Sequence, residues 1–456
     1  MRNILIIGAG RSATSLIQYL LDKSEAEELF ITIGDLNIQH AQKFTDGHPN
    51  ARGILLDVFN EKQRKESVEN SDLVISMLPA RYHIEVAKDC LEFGKHMVTA
   101  SYISDEMQML NAKVKAKGLV FMNEIGLDPG IDHMSAMHVI DRIRDAGGKM
   151  LLFESFTGGL VAPESDTNLW HYKFTWNPRN VVLAGQGGAA EFIQEGTYKY
   201  IPYHRLFRRT EFLDIEGHGR FEGLANRNSL KYRSIYGLED ILTLYRGTIR
   251  RVGFSKAWNM FVQLGMTDDG YKIPNSENLS YRDFVNLFLP YSPTDSVELK
   301  MRHSLKIDQD DLMWDKLLEL DIFNPKKKIG IKEATPAKAL QKILEDKWTL
   351  DKDDKDMIVM YHKFGYELNG EKKQIDSHMI IKGDDMDFTA MAKTVGLPVA
   401  IAALKILNEE ITIPGVQLPI TREVYEPILK ELENFGITFK EKEEQYLGYN
   451  PDKVVG

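Results

Sequence analysis

The chain predicts an α/β fold: a doubly wound parallel sheet, followed by a mixed α/β part with a helical subdomain. Three observations carry this. Short apolar runs alternate with helically spaced segments through the first 125 or so residues. A glycine turn, GAGRSA, stands between the first run and the first helical segment. From Lys149 the texture changes to strand-rich sequence with many Gly, Tyr and Arg residues.

The elements follow in order. ILIIG (Ile4 to Gly8) is a continuous apolar run ending in glycine, hence a buried strand. The next segment carries Leu16, Ile17, Leu20 and Leu21 at helical spacing. LFITIGD (Leu29 to Asp35) is β-branched and apolar, a second strand. GILLDV, DLVISMLP, HMVTASY and LVFMNE repeat the pattern up to Glu124, which predicts a parallel sheet wrapped by helices. Beyond LLFESFTGGL, the stretch from Gly237 to Gly270 reads as helical, and Leu299 to Lys363 as almost entirely helical. DKWTLDKDDKDM (Asp346 to Met357) reads as a solvated helix start with first-turn acids. FTAMAKTVGLPVAIAALKIL (Phe388 to Leu407) reads as an apolar helix interrupted by Gly396 and Pro398.

Composition narrows the function. Net charge is −10 and no basic run with interleaved aromatics occurs, so no nucleic-acid partner is expected. The single cysteine, Cys90, allows no internal disulfide and points to a reducing compartment, with cytoplasmic location as the expectation. The apolar start of MRNILIIGAG is too short for a signal peptide and leads straight into a turn. No run of about eighteen apolar residues is apparent, so no membrane span is expected.

GAGRSA (Gly8 to Ala13) has the form G-x-G-x-x-A between strand and helix. Gly8 allows the tight turn, Gly10 lets the backbone approach a pyrophosphate, and Ala13 lets helix and strand pack closely. Arg11 and Ser12 complete the loop, whose helix N-terminus offers N–H groups to an anion. Asp35 ends the second strand, where a carboxylate accepts from both hydroxyls of an adenosine ribose; it would meet a 2′-phosphate as a like charge. NAD is therefore the expected cofactor, with NADP as the alternative that Arg11 leaves open. Asp57 and Val58 after the third strand, and Ser76 and Met77 closing the fourth, complete the expected cofactor set.

Farther on, VTASYIS, MNEIGLDPGIDHMSA, GGLVAPESDTN, YKFTW, NRNS, YRGTIRRVGF and MAKTVGLPVAIAALKILNEEITIPGVQLPI occur in one order. With these motifs the chain resembles the saccharopine dehydrogenases of the L-glutamate-forming type, from Arg2 to about Lys442. The resemblance implies a Rossmann domain from residues 1–128 and about 386–456. It also implies a mixed α/β substrate domain from about 129–235 and 365–385, and a mostly helical subdomain from about 236–364. The implied reaction oxidises the secondary amine of saccharopine to an imine. Water then splits the imine to L-glutamate and 2-aminoadipate 6-semialdehyde.

The resemblance also assigns residues. Asp128, on the LDPGID bend after the last strand of the first half, is implied to face the reacting C–N bond as a proton-transfer group or ammonium anchor. Ser101 and Tyr102 are implied to join cofactor and substrate, with Tyr102 a second catalytic candidate. Arg227, Thr248 and Arg250 are implied to bind the substrate carboxylates, a task that suits the guanidinium fork. Asp132 and His133 read as structural at a helix start. No metal is expected, since hydride chemistry at carbon needs none.

Two positions depart from the family's fungal members. Asp35 stands where they carry a basic residue, and Thr157 where they carry a cysteine, so no thiol is available there for acid–base work. A carboxynorspermidine-type reductase is the rival enzyme, but its cationic substrate calls for acids where this chain has Arg227 and Arg250. A non-catalytic nucleotide-binding protein of the same fold is the rival of another class, one that would have no need of Asp128 and Arg227. The expected partners are a small-molecule substrate and, as the candidate assembly, a second copy in a homodimer.

Overall fold

A computed structural model of the chain describes residues 1–446 and 448–455. The chain folds as two compact units, Met1–Gly148 with Met379–Lys440, and Lys149–His378 with Glu441–Gly456.

The first unit is built on a seven-stranded sheet. β1 (Arg2–Ile7), β2 (Leu29–Asp35), β3 (Ala51–Leu55), β4 (Leu73–Ser76), β5 (His96–Val98) and β6 (Val120–Met122) are joined by the strand Gly415–Gln417. Their order is Gly415–Gln417, β6, β5, β4, β1, β2, β3, and every pairing is parallel. Ile4, Ile6, Ile31, Ile33, Val74 and Ile75 are completely buried, as strands covered on both faces require. The order reverses between β1 and β4, so the crevice beyond their carboxyl ends is where such a sheet receives a ligand.

The helix Ala390–Leu407 belongs to this unit and runs unbroken through Gly396 and Pro398, which corrects the expected interruption. It is also long and apolar enough to cross a membrane by length and composition, contrary to the expectation that no such run occurs. However, 78% of it is buried, and it packs as a core helix. Gly396 explains one contact. A Cβ there would lie 2.9 Å from the Leu16 nitrogen and 3.2 Å from the Ser12 carbonyl oxygen, so the helix presses directly on the glycine turn. Gly396→Val should therefore displace the turn. We expect dinucleotide affinity to fall and stability to drop by about 1–3 kcal/mol, read by titration and thermal unfolding. Unchanged affinity would separate the helix from the turn.

The second unit holds a ten-stranded sheet centred on Lys149–Val161, which pairs in parallel with Thr243–Arg251 and antiparallel with Asp356–Leu368. Three expectations are corrected here. Gly237 to Gly270 is not wholly helical, because TLYRGTIRR lies beside the central strand and only Phe254–Leu264 is helix. The end of Leu299 to Lys363 is strand as well, since DMIVMYHKF is rich in β-branched and aromatic residues. Asp346 to Met357 is no helix start: the helix Pro336–Trp348 ends within it. Asp354 in the following turn takes the buried Lys173 ammonium at 2.5 Å. Short helices at Pro178–Val182, Tyr203–Leu206 and Tyr232–Ile235 precede the longer ones, which lie between Phe254 and Trp348. Of these, Phe254–Leu264 and Pro336–Trp348 meet at the aromatic cluster of Trp170, Trp258, Phe261 and Trp348.

Candidate active site

In the first unit, Gly8 has φ of +102°, and a Cβ on it would reach the Met77 carbonyl oxygen at 3.0 Å. Glycine is thus required where the ends of β1 and β4 meet. A Cβ on Gly10 would meet no atom within 4 Å, so open space lies above the turn. A 3₁₀ turn, Arg11–Ala13, leads into the helix Thr14–Lys23, whose first N–H groups lack partners within the helix. These features fit a pyrophosphate. Arg11 is exposed and Ser12 half-buried beside it, while Ala13 is buried beneath the turn.

Asp35 closes the loop. Its Oδ2 accepts from the Ala9 N–H at 2.8 Å and its Oδ1 from the Asn37 N–H at 2.8 Å, with His40 Nδ1 3.7 Å away. The carboxylate is therefore fixed and still has lone pairs for ribose hydroxyls. Asp57 is half-buried and its Oδ1 accepts from the Phe59 N–H at 3.0 Å. Two expected cofactor residues are placed otherwise. The Val58 side chain belongs to the apolar core, and Ser76 is completely buried with its hydroxyl on His83. Val58 lies in the turn after β3, and Ser76 ends a strand whose residues are all buried, so sequence position alone did not reveal where either side chain goes.

The bend Glu124 to Asp132 is a closed hydrogen-bonded unit. Gly126 N–H donates to the Pro129 carbonyl at 2.9 Å, Ile131 N–H to the Gly126 carbonyl at 2.9 Å, and Gly130 N–H to Asp132 Oδ1 at 2.6 Å. Gly130 has φ of +148°, and a Cβ there would sit 2.0 Å from the Gly126 oxygen, so no other residue fits. Glu124 clamps the bend from below: Oε1 accepts from the Ile103 N–H at 3.0 Å and Oε2 lies 3.0 Å from His133 Nε2. Asp132 and His133 are thus scaffold, at the start of the helix Ile131–Asp145. Asp128 is left half-buried on the apex, with the Tyr102 hydroxyl 3.5 Å from its Oδ1.

His83 is one residue that sequence reasoning missed. It starts the helix His83–Phe93 after β4, is 4% exposed, and spans two hydroxyls: Nδ1 lies 2.8 Å from Ser76 Oγ and Nε2 2.7 Å from Ser101 Oγ. No spacing in LPARYHIEV signals this, because both partners are distant in sequence. Burial pushes its pKa down from 6.5 to about 4, so the folded chain holds a neutral imidazole. The unfolded chain binds the proton more readily. Stability from this group is whole above pH 6.5 and declines as the pH falls towards 4, by on the order of 2–4 kcal/mol. His83→Gln should unfold with a flatter pH dependence in that window, measured by denaturant titration, and an unaltered dependence would exclude His83 as the proton acceptor.

In the second unit, Arg246, Thr248 and Arg250 alternate along Thr243–Arg251 and so share one sheet face. Thr248 pairs in register with Thr157 on the central strand. Arg250 is 8% exposed, with its guanidinium 5.2 Å from the Tyr172 ring centroid and 5.4 Å from that of Phe254. Its Nη1 donates to the Ile249 carbonyl at 2.8 Å, and no carboxylate pairs with it among the described residues. Among the described residues, the Tyr172 hydroxyl and Thr157 Oγ1 are likewise buried without a hydrogen-bond partner. Arg227 is different: it is exposed, in a left-handed turn (φ +44°) whose carbonyl accepts from the Glu191 N–H at 2.7 Å. Arg246 and Tyr172 were not singled out from the sequence, although Arg246 stands two residues before Thr248 on the same face.

Comparison with known proteins accounts for both units. A family model described as the saccharopine dehydrogenase NADP binding domain matches residues 4–122, and one described as the saccharopine dehydrogenase C-terminal domain matches residues 126–437. The saccharopine dehydrogenase (NADP(+), L-glutamate-forming) of Schizosaccharomyces pombe is 32% identical, over 97% of this chain and 99% of its own length. The mitochondrial alpha-aminoadipic semialdehyde synthase of Mus musculus is 34% identical over 96% of this chain, which spans about half (47%) of that relative. The solved structure of apo saccharopine dehydrogenase (L-Glu forming) from Saccharomyces cerevisiae superposes with a TM-score of 0.86 at 29% identity, covering 97% of this chain and all of that one. The chain belongs to the saccharopine dehydrogenase family.

Proposed function

We propose that this chain is an oxidoreductase acting on a CH–NH bond, interconverting saccharopine with L-glutamate and 2-aminoadipate 6-semialdehyde. The observation that carries this reading is the buried guanidinium of Arg250, with no carboxylate partner among the described residues, which calls for an anionic ligand. The chemistry a bound nicotinamide dinucleotide supplies here is hydride transfer, and Gly8, Gly10, Arg11, Ser12, Ala13 and Asp35 are the residues that would hold it. Arg250, Thr248 and Arg227 bind substrate carboxylates. Asp128 takes the proton from the secondary amine as the hydride leaves its carbon, and returns it to the imine nitrogen as water adds to the carbon and gives its own proton to the carboxylate. Tyr102 hydrogen-bonds the Asp128 carboxylate and steadies it between these steps. We also propose a three-part organisation in which the helical segment 236–364 is a subdomain, and a reducing, cytoplasmic setting that suits the buried Cys90 thiol.

The test is formation of reduced dinucleotide on adding saccharopine. No absorbance change with either NAD or NADP would end the proposal. A diamine-derived substrate turned over instead would favour the carboxynorspermidine-type reading, which the cationic face of Arg246 and Arg250 opposes.

For the cofactor we propose NAD(H), although the relatives' names and the family model carry NADP. The support is Asp35, held by the Ala9 and Asn37 N–H groups where a 2′-phosphate would have to come close. Like charge there costs on the order of one to a few kcal/mol. Catalytic efficiency should therefore be higher with NAD, and Asp35→Arg should shift the ratio towards NADP by about tenfold or more. A wild-type preference for NADP would show that Arg11 outweighs Asp35.

A further inference from the structure

His83 belongs to neither the dinucleotide loop nor the carboxylate-binding face, yet it ties the end of β4 to the strip that carries Ser101 and Tyr102. Its tautomer follows from burial. Ser76 is 0% exposed and its hydroxyl has no hydrogen-bond partner among the described residues other than His83 Nδ1. A hydroxyl has one proton to place. If Nδ1 carried a proton, the Ser76 proton would be buried without an acceptor, a penalty that native interiors avoid. Ser76 therefore donates to Nδ1, and in the neutral ring the proton sits on Nε2. The second contact of Nε2, to Thr99 Oγ1 at 3.5 Å, is too long to reverse this choice.

The consequence falls on Ser101. At 2.7 Å, Nε2–H donates to the Ser101 oxygen, so the serine proton must point elsewhere. Ser101 is half-buried, so its hydroxyl can reach a ligand. A proton relay through His83 is excluded by the same burial, because the path would end at the enclosed Ser76.

We propose that His83 is a positioning residue that fixes Ser101 as a hydrogen-bond donor to an oxygen acceptor of the bound ligand. The acceptor is a carboxylate of the substrate or the carboxamide oxygen of the nicotinamide. The proposal rests on the dinucleotide and saccharopine reading above, and its test separates the two.

Two measurements decide it. In protein labelled with ¹⁵N-histidine, the signals lost in His83→Gln identify His83; Nδ1 should resonate as an unprotonated nitrogen and Nε2 as a protonated one. The opposite tautomer overturns the proposal whatever the enzyme's substrate. Next, His83→Leu, Ser101→Ala and the double variant are compared by dinucleotide fluorescence titration and by KM for saccharopine. One of these constants should worsen about five- to twentyfold, equally in the single and double variants, because a single hydrogen bond is being removed. A weaker dinucleotide identifies the carboxamide as acceptor, and a higher KM the substrate carboxylate. His83→Gln, which keeps an N–H near the Nε2 position, should recover part of the loss. Wild-type constants in folded His83→Leu, or losses that add in the double variant, overturn the proposal. If the wild-type chain fails to turn over saccharopine, the functional reading falls, while the tautomer and the dinucleotide titration still decide the role of His83.

Discussion

Asp128→Asn should lower turnover of saccharopine by about 10²- to 10⁴-fold while leaving the fold and dinucleotide affinity intact, the loss expected when a positioned proton-transfer group is removed. The fold should survive because the bend is held by other groups. Gly126, Pro129 and Ile131 close it through their backbones, Asp132 takes the Gly130 N–H, and Glu124 anchors it to Ile103 and His133. Asparagine keeps the side-chain shape and one acceptor oxygen but loses the charge and the basic site. The limb of the pH–rate profile that reports ionisation of the base should vanish with the activity. Tyr102→Phe, which removes the hydroxyl 3.5 Å from the carboxylate, should cost much less. If Asp128→Asn instead raises KM alone, the carboxylate anchors the substrate ammonium. Intact kinetics would make it a turn residue.

The parts of this site differ in how far the sequence showed them, and the reason is physical. β1, the glycine turn and Asp35 are contiguous or end adjacent strands, so apolar runs and glycine spacing place them directly; LFITIGD matched its strand residue for residue. The LDPGID bend was legible because proline and glycine restrict the backbone locally. Strand direction was less visible. Val58 and Ser76 stand at expected positions along the chain, but Val58 packs in the apolar core from the turn after β3 and Ser76 ends a strand buried on both faces, which only the packed fold shows. Thr243–Arg251 and Asp356 to Lys363 read as helix because each adjoins helical sequence; their β-branched and aromatic residues already favour strand, and pairing with Lys149–Val161 makes them so. His83 was not legible at all. Its function is defined by two hydroxyls 7 and 18 residues away, and only folding brings them to one ring.

Arg250→Ala should have the largest effect on substrate binding. The guanidinium is 8% exposed and lies against the faces of Tyr172 and Phe254, with one donor spent on the Ile249 carbonyl. Removing a charge from water without a partner costs several kcal/mol, and the aromatic contacts return only part of that. Such a charge persists in a fold when a ligand anion pairs with it. Losing one side of a buried charge pair costs about 2–5 kcal/mol, so KM for saccharopine should rise roughly 30- to 4000-fold. Dinucleotide affinity should be unchanged. Arg250→Lys separates the parts of this argument: it keeps the charge but not the planar fork or the stacking, and should recover only a fraction of the binding. Arg227→Ala should matter less, because that side chain is exposed and solvent already screens it. Folded Arg250→Ala with the wild-type KM would mean that the buried cation serves packing alone, and the carboxylate-binding face would have to be sought elsewhere on the sheet.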